Sequence, residues 1–450
     1  MSRRASTDFT TGNPVKKLVI FSLPLIAVLV LQGLYNTADS IVVGRWVGEE
    51  ALAAVSAPGS ITTLTLMVVH GAATGVSVVL AQYIGAKDET MVKKIVATGA
   101  YLIMGLSVVM GILGAIFAPQ LLMLIDVPEN IVDDAVLYLR VVFLATPISS
   151  LYNLSTSISR STGDSMTPMI VLLICAILNV GLNILFVAVF SLAVAGVAYA
   201  TVIAQTVSAI VCVMIVWRRQ PMIRPTKETA RFDKQVLRDV VKIGVPSMLQ
   251  SSASSIGNVL ISRVLNGFGS TVIAAYHSAL KIEILISYAP GGFTTGMQVW
   301  TGQNIGAKKY DRIKLGYNVT AIIIVAYTAV SMAIMLIFGR PLVGVFTDGA
   351  EFIDIGAKYL AITCTGLLQV GFVFLSRSTL VGAGDAKAAL VTSLLELGSR
   401  LVAAFVLSHF FGYVGFFFTG PVGYTVGAIY ATARYLSGKW KDKALVKGET

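Results

Sequence analysis

Apolar positions fill long stretches of this chain, and charged positions cluster in the short gaps between them. The pattern predicts helices at about 15–44, 52–82, 94–118, 132–158, 166–190 and 192–217. A second set follows at about 236–265, 271–301, 314–338, 352–378, 386–408 and 412–436. A bilayer core about 30 Å thick takes roughly 20 residues at about 1.5 Å rise each, so these stretches are long enough to cross one. In lipid only helices and closed barrels satisfy their own backbone groups, and no period-2 alternation is evident, so helices are expected. The first stretch, from about Val15 to Val43, is too long for the apolar part of a cleavable signal and holds an internal Asp39, so it reads as a membrane helix.

Composition strengthens this reading. Of 450 residues, 56% are apolar and 13% charged, too few charges to cover a soluble domain of this size. The net charge of +11 would suggest nucleic acid in a soluble protein, but here it lies in membrane-flanking segments and points to no nucleic-acid partner. Lys and Arg concentrate at Arg3, Arg4, Lys16 and Lys17, at Lys87, Lys93 and Lys94, from Arg218 to Arg238, around Lys308 to Lys314, and in the tail with Lys439 and Lys447. The intervening loops are poor in them, as around Asp126 to Asp134 and from Arg340 to Asp354. Basic residues mark the cytoplasmic side, so the alternation predicts an inner (plasma) membrane protein with both termini cytoplasmic. Cys175, Cys212 and Cys364 lie in apolar spans without metal spacing and read as packing residues.

The chain also resembles itself. At an offset of 221, Gly48 meets Gly269, Gly75 meets Gly296, and Gln82-Tyr-Ile-Gly-Ala-Lys87 meets Gln303-Asn-Ile-Gly-Ala-Lys308. Tyr138-Leu139 meets Tyr359-Leu360, and Gly163-Asp164 meets Gly384-Asp385. Six helices per repeat is an even number, so both repeats enter the membrane from the same side. The expected fold is an all-α integral membrane protein, twelve transmembrane helices in two pseudo-symmetric six-helix bundles forming a V-shaped cleft. Its expected divisions are 1–217, a basic cytoplasmic linker at 218–235, 236–436, and a charged cytoplasmic tail at 437–450.

Ionisable residues inside membrane helices are costly and are functional candidates. Asp39 has no Lys or Arg one turn away, and could exchange a proton or bind a small cation; its plain alternative is a polar residue near the outer interface. Asn179 and Asn183 are spaced to share one face of the fifth helix, and Thr201 falls at a comparable depth in the sixth. These four are the candidate ion-coupling set, offering oxygens that suit a proton relay or Na⁺. Pro24 is a candidate helix bend in the same helix as Asp39. Tyr35, Asn36 and Glu283 are candidates for a substrate cleft. Glu396 and Arg400, spaced i,i+4 with the acid first, read as an intrahelical ion pair. There is no Walker loop and no clustering of the three histidines, so an ion gradient rather than ATP is the expected energy source, with no cofactor and no enzymatic role.

Together, the two parallel halves, Pro24 and Asp39, the Gln-x-x-Gly-Ala-Lys pair and the two Gly-Asp turns resemble the multidrug and toxic compound extrusion (MATE) family, over about Lys16 to Arg434. The resemblance implies export of organic cations and other amphipathic drugs in exchange for H⁺ or Na⁺ across the bilayer, by a chain that works as a monomer. It is closest to the prokaryotic type that couples through the first lobe, where Asp39, Asn179 and Thr201 match. At the position of a second acid this chain has Asn183, which leaves one carboxylate. Another branch carries an acid eight residues after the proline of helix seven; here Pro246 is followed at that spacing by Ser254. A flippase for a lipid-linked saccharide and, more remotely, a membrane-embedded enzyme are the alternatives. The flippase would want a strongly cationic cleft.

Overall fold

The computed structural model describes residues 7–446, so Arg3, Arg4 and Lys447 lie outside the described residues. Among the described residues twelve main helical segments follow one another, with a short extra helix, Ala118–Met123, after the third. α1 is Pro14–Trp46; α2 is Gly59–Gly85, preceded by the short helix Glu49–Ser56; α3 is Glu89–Ile116. α4 comes in two pieces, Val132–Leu144 and Thr146–Ser161. α5, Met166–Asn183, runs on into a π-helical segment, Ile184–Val189, and α6 is Ala193–Arg219. In the second half α7 is Lys234–Leu265, α8 Ser270–Gly306 and α9 Tyr310–Gly344. α10 is again in two pieces, Ala350–Thr363 and Leu367–Gly382, and α11 is Ala386–Phe417 and α12 Thr419–Leu436.

Among the described residues nine of these segments are long and apolar enough to cross a membrane, and the two pieces of α4, bent by 46°, make a tenth if they count as one span. α7 carries the polar run from Gln250 to Ser255, which lowers its hydropathy. Side chains are distributed as lipid requires. Val259 and Phe410 are each 72% exposed and Val345 81%, whereas Asn179, Asn183 and Asn304 are fully buried. Water would favour the opposite arrangement, so the chain is a multi-pass membrane protein.

The internal repeat is written in the backbone. Gly48 and Gly269, Gly163 and Gly384, and even Lys87 and Lys308 all have positive φ, each pair 221 residues apart. A non-glycine residue rarely takes that conformation, so its recurrence at both lysines marks one turn used twice. The breaks in α4 and α10 fall in matching register as well, where Pro147 opens the second piece of α4 and the turn Cys364–Gly366 interrupts α10. Single helices were expected at both places. The boundary between α11 and α12 also differs from the expected gap at 408–412. The chain kinks at Gly412 (φ 59°, ψ −144°), remains helical to Phe417, and restarts at Thr419.

Two compact units result, and they do not part at the linker. The first contains residues 7–8 and Ala27–Met248; the second contains Phe9–Ile26 and the described chain from Leu249 onward. The chain changes unit two residues beyond Pro24 and again two residues beyond Pro246. Each proline lacks an N–H, so the carbonyl four residues earlier has no helical donor.

Within the first unit, the start of α7 lies on α2. A Cβ at Gly71 would fall 2.6 Å from the Met248 Cβ, and one at Gly75 only 2.4 Å from the Val240 carbonyl oxygen. Within the second unit the start of α1 lies on α8 at the matching glycines. A Cβ at Gly292 would fall 2.4 Å from Ile26, and one at Gly296 2.7 Å from the Ser22 hydroxyl. Glycines four residues apart let two helix backbones approach, which is how helices pack without a hydrophobic driving force.

The linker and tail are both tied down. Lys94 Nζ lies 3.3 Å from Asp233 Oδ2, and the Tyr101 hydroxyl donates to the Ala230 carbonyl at 2.9 Å. Asp233 also caps α7, accepting from the N–H groups of Gln235 and Val236. Partial burial opposes its charge, but those two N–H groups and the Lys94 ammonium outweigh it and hold the carboxyl below the usual range. The described part of the tail packs into the second unit. Trp440 is buried on Tyr435, which stacks on Tyr317 at 3.9 Å. In the same unit Gln303 Oε1 accepts from the Phe9 N–H at 3.0 Å, and Arg312 reaches the Phe9 carbonyl at 3.0 Å.

Candidate functional site

α1, α5 and α6 bring the four expected residues of the first unit together. Asn183 Nδ2 donates to Asp39 Oδ1 at 2.6 Å and lies 3.0 Å from Asn179 Oδ1. Asn179 Nδ2 in turn faces Thr201 Oγ1 at 3.4 Å. Both asparagines sit on one face of α5, as their spacing dictates. The π-helical segment begins directly after Asn183, and such segments recur where a helix must re-aim side chains. The result is a continuous carboxylate–amide–amide–hydroxyl chain across three helices.

Its charge is uncompensated. Among the described residues no Lys or Arg forms an ion pair with Asp39, and Asn183 Oδ1 is buried with no donor. Tyr35, one turn before Asp39, joins the cluster through Thr201, and Tyr138 on α4 is close enough to feel the Asp39 charge. In the sequence Tyr138 stands out only through its repeat partner Tyr359. Asn36, the neighbour of Tyr35 on α1, is exposed. A cavity of about 70 Å³ adjoins the far end of the chain, lined by Thr62, Thr65, Thr146, Ser149, Thr201 and Gln205 among others. Leu66, Val142, Phe143, Ala145 and Val202 complete its largely apolar wall.

Glu283 lies in the other unit. It is 6% exposed on α8 and accepts a hydrogen bond from the Tyr359 hydroxyl. Tyr359 is the repeat equivalent of Tyr138, which lies within electrostatic reach of Asp39 but makes no such hydrogen bond to it. Glu396 does not pair with Arg400 as its spacing suggested. Its Oε2 lies 3.7 Å from Arg377 Nη1, because α10 presents a guanidinium that a single-helix argument cannot see. Among the described residues no three His, Cys, Asp or Glu side chains group as a metal site.

Comparison with known proteins bears directly on this architecture. The MatE family model matches the chain twice, over residues 24–185 and 246–406, once in each repeat. The chain belongs to the MatE family. MatE proteins are transporters, not enzymes. Among its relatives are the probable multidrug resistance protein YoeA of Bacillus subtilis, 27% identical over 96% of this chain and 95% of that protein, and the multidrug export protein MepA of Staphylococcus saprophyticus, 25% identical over 94% of each. The MatE fold is seen as well in a solved outward-facing multidrug resistance MATE transporter of the MOP superfamily, with a TM-score of 0.89 and 23% identity over 98% of this chain and 99% of that one. A MATE structure described as straight also gives 0.89, at 22% identity over 97% and 98%.

Proposed function

We propose that this chain is a secondary multidrug exporter that exchanges amphipathic, mostly cationic compounds for H⁺ or Na⁺, with Asp39 as the coupling carboxylate. One observation carries the reading: among the described residues, a carboxylate without an ion-pair partner stands beside an amide oxygen without a donor, inside a membrane helix bundle. Such a place is short of one positive charge. A proton on Asp39, or a small cation held by Asp39, the two asparagine oxygens and Thr201, would supply it.

Exchange needs the ion to bind two conformations with different affinity. Outward-open protein takes the ion at Asp39 and releases the drug; inward-open protein loses the ion and loads drug from the cytoplasm or inner leaflet. Pro24 gives α1 a weak point between its two packing partners, so that the half bearing Asp39 can bend as the ion comes and goes. The basic flanking residues support cytoplasmic termini in an inner membrane, and the drug-exporting relatives support the cargo class. Tyr35 would line the route of the drug in the first unit. A single chain holds both units, so a monomer suffices.

Ethidium efflux in everted vesicles, under imposed proton and sodium gradients, tests the proposal. Wild type should move the dye with one gradient, and Asp39→Asn should lose that dependence at equal abundance. Full gradient-driven efflux by Asp39→Asn would overturn it.

A further inference from the structure

The second unit encloses a cavity of about 350 Å³ that the Asp39 site does not use, lined from α7, α8, α10, α11 and α12. This is within the roughly 300–1,000 Å³ of drug-sized sites. Tyr276, Leu280, Glu283 and Ser287 line it from one face of α8, and Arg400 enters from α11. Arg400 reaches it only because α12 has Gly423 where the stem passes. A Cβ there would fall 2.2 Å from Arg400 Cγ.

The two charges in this cavity are held apart. Among the described residues no ion pair joins Glu283 to Arg400, and Glu396, though near enough to act on the Arg400 charge, lies 3.7 Å from Arg377 instead. The Arg400 Nε is buried with no hydrogen-bond partner. A buried guanidinium nitrogen left unmet is costly, and a planar carboxylate is the shape its fork fits. Glu283 stands among aromatic rings: Tyr276 packs at 5.0 Å from Tyr359 and 5.4 Å from Phe416, edge to face. That corner suits a flat organic cation.

We propose that this cavity binds zwitterionic amphiphiles, with a carboxylate on Arg400 and a delocalised cation beside Glu283. A simple cation would meet Glu283 but would be repelled by Arg400, and a simple anion would meet the reverse. Only a molecule bearing both charges satisfies both groups, so the cavity discriminates by repulsion as well as attraction. The inference rests on the export reading only in treating the bound molecule as cargo.

Rhodamine 110, a zwitterion, and rhodamine 123, its cationic methyl ester, differ only at the carboxyl group. Fluorescence polarisation with the full chain in lipid nanodiscs should give rhodamine 110 the tighter binding by about tenfold, the equivalent of roughly 1.4 kcal/mol. Arg400→Gln should erase that difference while leaving rhodamine 123 bound as well or better. Arg400→Lys, which keeps a cation in the cavity, should retain part of it and guards against misfolding. Equal binding of the two dyes by wild type, or an equal loss of both in Arg400→Gln, would overturn the proposal. Gradient-driven efflux of rhodamine 123 by the same protein tests export separately. If it persists while the dyes bind equally, this inference falls alone; if it is absent while the dyes are discriminated, the export reading falls and the site stands.

Discussion

Asn183 on α5 reaches across to Asp39 on α1 with a hydrogen bond of 2.6 Å, and the same amide nitrogen holds Asn179 at 3.0 Å. One side chain thus ties the only carboxylate of the cluster to the rest of the chain. A hydrogen bond to a charged group contributes about 1.5–3 kcal/mol. Asn183→Leu is of similar size and fits the helix, but gives Asp39 no donor. Gradient-driven efflux should fall by about tenfold or more, with protein abundance and dye binding without a gradient unchanged. Initial efflux rates in vesicles of matched protein content check this.

The glycines that admit α7 to α2 make a second expectation. Gly75→Ala adds one carbon 2.4 Å from the Val240 carbonyl oxygen, which belongs to a helix backbone and cannot swing aside. Overpacking of this kind typically costs about 1–3 kcal/mol. Gly105→Ala is the control, since a Cβ there meets nothing within 4 Å. Thermal unfolding in detergent should show a lower midpoint for Gly75→Ala and an unchanged or higher one for Gly105→Ala.

Asp233 gives a pH-dependent case outside the membrane. Its carboxyl is held below the usual range in the folded protein by two N–H groups and Lys94. A depressed folded value means that its stabilisation is complete above the unfolded value, roughly 4, and is lost as pH falls through the folded one. Asp233→Asn should therefore lower the unfolding midpoint equally at pH 6 and pH 8. The gap to wild type should narrow only below about pH 4, and a gap that opened or closed between pH 6 and 8 would contradict this account.

Much of this was legible in the sequence, for reasons tied to particular residues. Twelve stretches emerge because lipid demands long apolar runs, and the loops between them are too short to hide another membrane span, although short helices at Glu49–Ser56 and Ala118–Met123 escape the pattern. Asp39, Asn179, Asn183 and Thr201 could be drawn to one depth because helix rise and chain direction together fix depth in a membrane. Rotation about the helix axis is not fixed that way. Glu396 looked toward Arg400 by its spacing, yet α10 turns Arg377 to it instead. The pairing of Glu283 with Tyr359 stayed hidden for the same reason. Ser408 and His409 mark a polar gap before Gly412, but the chain only kinks there and stays helical to Phe417, so the hydropathy pattern ends α11 too soon.

The exchange of helix starts between the units has a consequence for synthesis. Phe9 leaves the ribosome early, but Gln303, which holds it, lies 294 residues further along the chain. Until α8 arrives, the start of α1 has no groove to enter, and until α7 arrives the glycine face of α2 stands open. Neither half can close on its own translation product. Assembly of this protein in the membrane is therefore completed only after both halves have been inserted, and a truncated chain that stops at the linker would leave one half unlatched rather than finished.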